Sequence, residues 1–161
     1  MRPDIETVKA WLGEIPDPEI PVISLVDLGI IRDVKWQGGK LVVTVTPTYS
    51  GCPATAVIRL DIATALNQLG IDDVEMKTQL SPAWTTDWIS QDGLNKLREY
   101  GIAPPIGPAA SCAGAIAAKE IACPHCGEKN AEKISDFGST PCKAHYRCKS
   151  CLEPFDYFKA I

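Results

Sequence analysis

The chain has 161 residues, with sixteen Lys and Arg against twenty Asp and Glu, a length that suits one medium domain or one small domain with an appendage. No apolar run reaches the roughly 20 residues needed to span a bilayer. Charge is spread unevenly: residues 1–101 carry nine Lys and Arg against fourteen Asp and Glu, and residues 102–161 carry seven against six, so neither part offers the basic face that phosphate binding requires and nucleic acid is not an expected partner.

Met1-Arg2-Pro3-Asp4 leads into an ordinary amphipathic helix with no apolar stretch of the signal-peptide kind, which sets the expectation of a cytoplasmic, thiol-reducing environment. Ile5, Val8, Leu12 and Ile15 fall at spacings of 3, 4 and 3 and form one stripe of that helix, with Asp4 as N-cap and Pro16 as its stop. Asp17-Pro18-Glu19-Ile20-Pro21 follows, a stiff acidic turn whose prolines forbid both helix and central strand; on composition its carboxylates read as solvated loop residues.

Residues 31–36 and 40–46 read as two strands joined by Gly38-Gly39, a hairpin turn. In the second, Leu41, Val43 and Val45 share a face, and the opposite face, with Val42, Thr44 and Thr46, is expected to be wetter. Residues 54–69 form a helix, with Val57, Ile58, Ile62, Ala65, Leu66 and Leu69 at helical spacing. Pro53 suits its first position and Cys52 its N-cap. The partial positive charge and free N–H groups there favour thiolate over thiol, which makes an exposed Cys52 a candidate nucleophile and metal ligand. A buried cysteine acting as a small hydrophobe is the alternative. Residues 74–80 alternate as a third strand. The loop from Pro82 to Ile89 carries Trp84 and Trp88, either a lid over the core edge or a partner surface. Ser90 caps a last helix that Gly101 ends. Residues 102–118, rich in Ala, Pro and Gly, read as a linker, with Cys112 an unassigned thiol inside it.

The tail carries the strongest signal. Cys123-Pro124-His125-Cys126 and Cys148-Lys149-Ser150-Cys151 are two C-x-x-C pairs with 21 residues between them, and two such turns face to face supply the four sulfurs that tetrahedral zinc prefers. A single iron or part of an iron-sulfur cluster fits the same ligands. With four Cys ligands the site is closed and structural, and the metal supplies much of the segment's folding free energy. Cys142 and His145 form a weaker competing pair, and His125 is expected to point outward. The chain therefore reads as an α+β domain over residues 1–101, with a small three-stranded sheet and helices, then the linker, then a zinc ribbon over residues 119–161.

Asp17 to Pro21, Val26-Asp27-Leu28-Gly29, Thr48 to Pro53 and the Trp84 loop, taken in order, resemble the iron-sulfur-assembly domain of the SUF-system T-type accessory proteins. Ser139 to Cys148 and the ending Glu153 to Lys159 extend the resemblance over the whole chain, to the D-type accessory subunits of bacterial phenylacetyl-CoA epoxidase systems. The resemblance implies a non-catalytic maturation factor that serves an oxygenase or reductase component by helping insert iron or an iron-sulfur cluster. It makes Cys52, with Asp17 and Glu19, the candidate transfer site, holding iron or a cluster only transiently. His125 and His145 are the only histidines, so a histidine-rich catalytic iron centre is not expected in the first domain. Two other readings stay open: an electron carrier with rubredoxin-like iron in the tail, and a purely structural component of the oxygenase complex.

Overall fold

The computed structural model describes residues 2–107 and 120–161; Cys112 and most of the expected linker lie outside them. The chain forms two compact units, Met1–Trp84 and Thr85–Ile161.

In the first unit, helix α1 (Ile5–Leu12) starts as expected: the Asp4 carboxylate accepts from the Thr7 amide at 2.9 Å, and Val8 and Leu12 are buried. Strands β1 (Ile31–Gln37) and β2 (Lys40–Val45) form an antiparallel hairpin. Gly38 and Gly39 turn it at φ +58° and +97°, a region costly for residues with a Cβ. Helix α2 (Ala54–Gln68) then returns the chain so that β3 (Val74–Thr78) lies parallel to β2, giving the order β1-β2-β3.

The central strand departs from the expected alternation. Val42 and Thr46, assigned to a wetter face, are as buried as Leu41, Val43 and Val45. A central strand covered on both faces loses its period-two signature. The long connection from α1 to β1 brings Ile20, Ile23, Leu25, Leu28 and Ile30 into the core. Trp84 is a lid: it is 3% exposed, and its indole N–H donates to the Leu28 carbonyl at 2.9 Å.

The second unit opens with a short 3₁₀ turn (Thr86–Trp88) and helix α3 (Gln91–Glu99), which Ser90 caps through the Gly93 amide. Its sheet has the order β4-β7-β6-β5, formed by β4 (Ile102–Ala103), β5 (Ala131–Ser135), β6 (Lys143–Cys148) and β7 (Pro154–Phe158). Ile102 and Ala103, expected at the start of the linker, pair in parallel with Asp156 and Tyr157. Helix α3 and β4 lie in the same compact unit as the ribbon. The core holds Ile121, Tyr146, Phe155 and Tyr157 around Cys123 and Cys148, with Tyr146 stacked on Phe155 and edge-on to Tyr157. At the C-terminus, the Ile161 carbonyl accepts from the Thr86 amide at 3.1 Å. No helix among the described residues is long and apolar enough to cross a membrane.

Candidate metal centre

The two C-x-x-C turns have the same backbone construction. The Cys123 amide donates to the Glu128 carbonyl and the Cys148 amide to the Glu153 carbonyl, both at 3.0 Å and both five residues on. After the second cysteine of each turn the chain enters the left-handed region, at Gly127 (φ +81°) and Leu152 (φ +66°). Glycine takes that conformation without strain and leucine does not, so the first turn carries the fitting residue and the second tolerates a misfit.

Each turn directs two sulfurs inward. Cys123 Sγ lies 3.8 Å from Cys151 Sγ, and Cys126 Sγ lies 3.6 Å from Cys148 Sγ. All four atoms fall within 4.8 Å of one another. A tetrahedron with zinc–sulfur bonds of about 2.3 Å has edges of about 3.8 Å, so the site has the size of a tetrathiolate zinc centre. Sulfurs this close cannot all ionise without a cation between them. The Cys148 thiol is brought down to about 6, chiefly by the Cys151 amide. Against the pull of the Glu128 amide, desolvation and the neighbouring sulfurs push Cys126 up to about 12. A dication removes the conflict and leaves the cluster with a net charge of −2. Bound there, zinc supplies a cross-link and no chemistry, because four sulfurs leave no open position.

The competing pair does not form a site. Cys142 is buried with its Sγ 2.9 Å from Thr140 Oγ1, and His145 Nδ1 lies 3.2 Å from Asp156 Oδ1. His125 is exposed, as expected. Asp156 is a structural support of the ribbon that sequence reading missed. It accepts from Ser139 Oγ at 2.9 Å, faces His145, and lies 3.9 Å from the buried Lys143 ammonium. Burial alone would raise its pKa; the Ser139 and His145 hydrogen bonds and the Lys143 charge hold it below the usual carboxylate range. In sequence, Lys143 and Asp156 are merely two polar residues in alternating strands, and only the β6–β7 register, which sets His145 opposite Asp156, brings them together.

In the first unit, Cys52 stands one residue earlier than expected. Pro53 occupies the N-cap position of α2, without a capping side chain, while the Cys52 carbonyl accepts from the Thr55 amide at 3.1 Å. Proline's fixed φ lets it hold the half-helical cap as readily as the first turn. The first turn of α2 has no acidic residue to offset its positive end. Cys52 is buried, only 8% exposed, the placement of the small-hydrophobe alternative. Asp17 is also buried, and it builds the acidic loop: its Oδ1 accepts from the Glu19 amide at 2.9 Å and the Ile20 amide at 2.8 Å. Glu19 is exposed. Among the described residues the only convergent group of three or more His, Cys, Asp or Glu ligands is the four-cysteine cluster, so Cys52, Asp17 and Glu19 do not close a site by themselves.

A small α+β unit joined to a four-cysteine ribbon defines a two-module protein with one closed metal centre. Residues 5–77 match the iron-sulfur cluster assembly protein family, and residues 108–159 match the PaaD zinc beta ribbon domain. An Escherichia coli protein described as the D-type subunit of a 1,2-phenylacetyl-CoA epoxidase is 50% identical over 99% of this chain and 94% of its own length. The chain belongs to the PaaD family. A Bacillus subtilis protein described as an Fe-S protein maturation auxiliary factor is 33% identical over 53% of this chain and 85% of its own. Among solved structures, a domain of unknown function from Bacillus anthracis is 27% identical, with a TM-score of 0.52 over 57% of this chain and 89% of that one.

Proposed function

We propose that this chain is a non-catalytic, cytoplasmic accessory protein that assists insertion of iron or an iron-sulfur cluster into an oxygenase or reductase component of a phenylacetyl-CoA epoxidase system. The observation that carries this reading is the whole-length likeness to the E. coli epoxidase protein, joined to the likeness of the first unit alone to a maturation factor. One relative supplies the pathway, the other the task. In this reading Cys52, next to the N-terminus of α2, whose first turn holds no acidic residue, is the sulfur that engages iron. Asp17 holds the loop that presents the Glu19 carboxylate, and the zinc-bound ribbon is a folded platform for client recognition.

The test is metal and sulfide analysis with a visible spectrum on protein purified without oxygen, as wild type and Cys52→Ser, together with the activity of the client oxygenase in cells. One zinc per chain in both proteins, with client activity lost in the variant, supports the reading. Full client activity with Cys52→Ser removes the thiolate role. Stoichiometric iron in the ribbon, indifferent to Cys52→Ser, makes the chain an electron carrier instead.

A further inference from the structure

Helix α2 carries apolar residues on its outer face as well as on its buried one. Of its fifteen residues only Arg59 and Asp61 carry charge. Ala54, Ile58, Ile62 and Leu66 are buried, yet Val57 and Leu60 are 45% and 65% exposed, and Leu69, just past the helix end, is 47% exposed. Arg59 is occupied at β3, donating to Thr78 Oγ1 at 2.8 Å and to the Met76 carbonyl at 3.3 Å. Of the exposed apolar residues, Leu69 lines the groove between α1 and α2; Val57 and Leu60 lie outside it.

A groove of about 650 Å³ opens where the end of α1 meets the second half of α2. Trp11, Ile15, Ala65 and Leu69 give it an apolar lining, and Glu14 and Asp61 are its charged residues, with no cation among the described residues that line it. Apolar floor and acidic rim together specify an occupant that is apolar on one side and basic at the edge. The same electrostatics disfavour a second copy of this chain: a two-fold contact here brings one acidic rim against another, and the unit carries seven Lys and Arg against eleven Asp and Glu.

We propose that the α1–α2 groove is the docking site for an amphipathic helical segment of the client protein, its apolar stripe on Trp11, Ala65 and Leu69 and a Lys or Arg of its edge at Glu14 and Asp61. The proposal deepens the accessory reading and rests on it. Its test is titration of the full-length, zinc-loaded chain with the purified oxygenase and reductase components of the epoxidase system of the same organism. Four proteins are compared: wild type; Glu14→Lys/Asp61→Lys; Ala65→Trp, which fills the groove without changing charge; and Asp72→Lys/Glu75→Lys, which makes the same charge change outside it. Circular dichroism checks that each is folded, and sedimentation gives the oligomeric state.

The expected result is tight binding of one component by wild type and by Asp72→Lys/Glu75→Lys, with affinity falling at least tenfold in both groove variants. Equal binding by all four overturns the groove and leaves the accessory reading standing. A wild-type dimer that the groove variants dissociate overturns the proposed occupant in favour of a second copy. No binding of wild type to either component overturns both the groove's client and the accessory reading.

Discussion

Gly138→Ala tests how the ribbon is held together beyond its metal. A Cβ at this position would stand 2.7 Å from Asp156 Oδ1 and 3.0 Å from its Cγ. The backbone cannot easily retreat, because the Gly138 amide donates to the Lys143 carbonyl at 2.6 Å. Restoring an ordinary contact requires the carboxylate to move by about 0.7 Å, which stretches its bonds to Ser139 Oγ and His145 Nδ1. The two hydrogen bonds are stretched and not broken, so only a small part of their worth of about 1.5–3 kcal/mol each is lost, and overpacking costs about 1–3 kcal/mol. The less flexible unfolded chain of alanine returns about 0.5–1 kcal/mol. The expected net cost is about 1–2 kcal/mol, or a fall of about 5–15 °C in the unfolding midpoint of a unit this size. Near-ultraviolet circular dichroism of Tyr146 and Tyr157 in zinc-loaded protein reads it. The same substitution in an Asp156→Ala background removes the clash and should cost much less. Equal costs in the two backgrounds refute the reasoning.

Stripping zinc with a strong chelator, or Cys148→Ser, should abolish the tyrosine near-ultraviolet signal of the second unit while the helical signal of α1 and α2 persists; an intact tyrosine signal after zinc loss would show that the aromatic core suffices. Asp17→Ala leaves the Glu19 and Ile20 amides without their acceptor and should cost about 2 kcal/mol in urea unfolding of the first unit, against under about 1 kcal/mol for Glu19→Ala at its exposed position. For Asp156, whose folded pKa lies below its unfolded value, the stabilisation is fully present above the usual carboxylate pKa near 4 and disappears as pH falls through the lower folded value. The stability gap between wild type and Asp156→Asn should therefore narrow as pH falls below about 4; a gap that does not narrow there would show that Asp156 acts through shape alone.

The features legible in the sequence were those set by local spacing. The C-x-x-C pairs, the Gly38-Gly39 hairpin and the Asp4 and Ser90 caps each depend on a few neighbouring residues, and the structure contains all of them; of the stripe expected on α2, Ile58, Ile62 and Leu66 are buried, while Val57 and Leu69 are exposed. What stayed hidden depends on partners distant in the chain. Strand β4 is two residues long and exists only because β7 offers it an edge. The burial of Val42 and Thr46 comes from the central place of β2 in the sheet, which its own alternating residues do not show. Asp17 looked like a solvated loop carboxylate because composition cannot show that its oxygen already has two backbone donors.

The two sulfur environments differ in a way that bears on the proposed role. The ribbon brings four sulfurs within 4.8 Å, enough to satisfy a tetrahedral ion completely, so an ion there has no position through which to exchange. Cys52 has no second and third ligand converging on it among the described residues. A single thiolate holds iron only when the other positions are filled from elsewhere, by the cargo's own sulfide or by the client's ligands. On the proposed role, ribbon variants should lose both their zinc and the fold of the ribbon, whereas Cys52 variants should keep both and change only what the client receives.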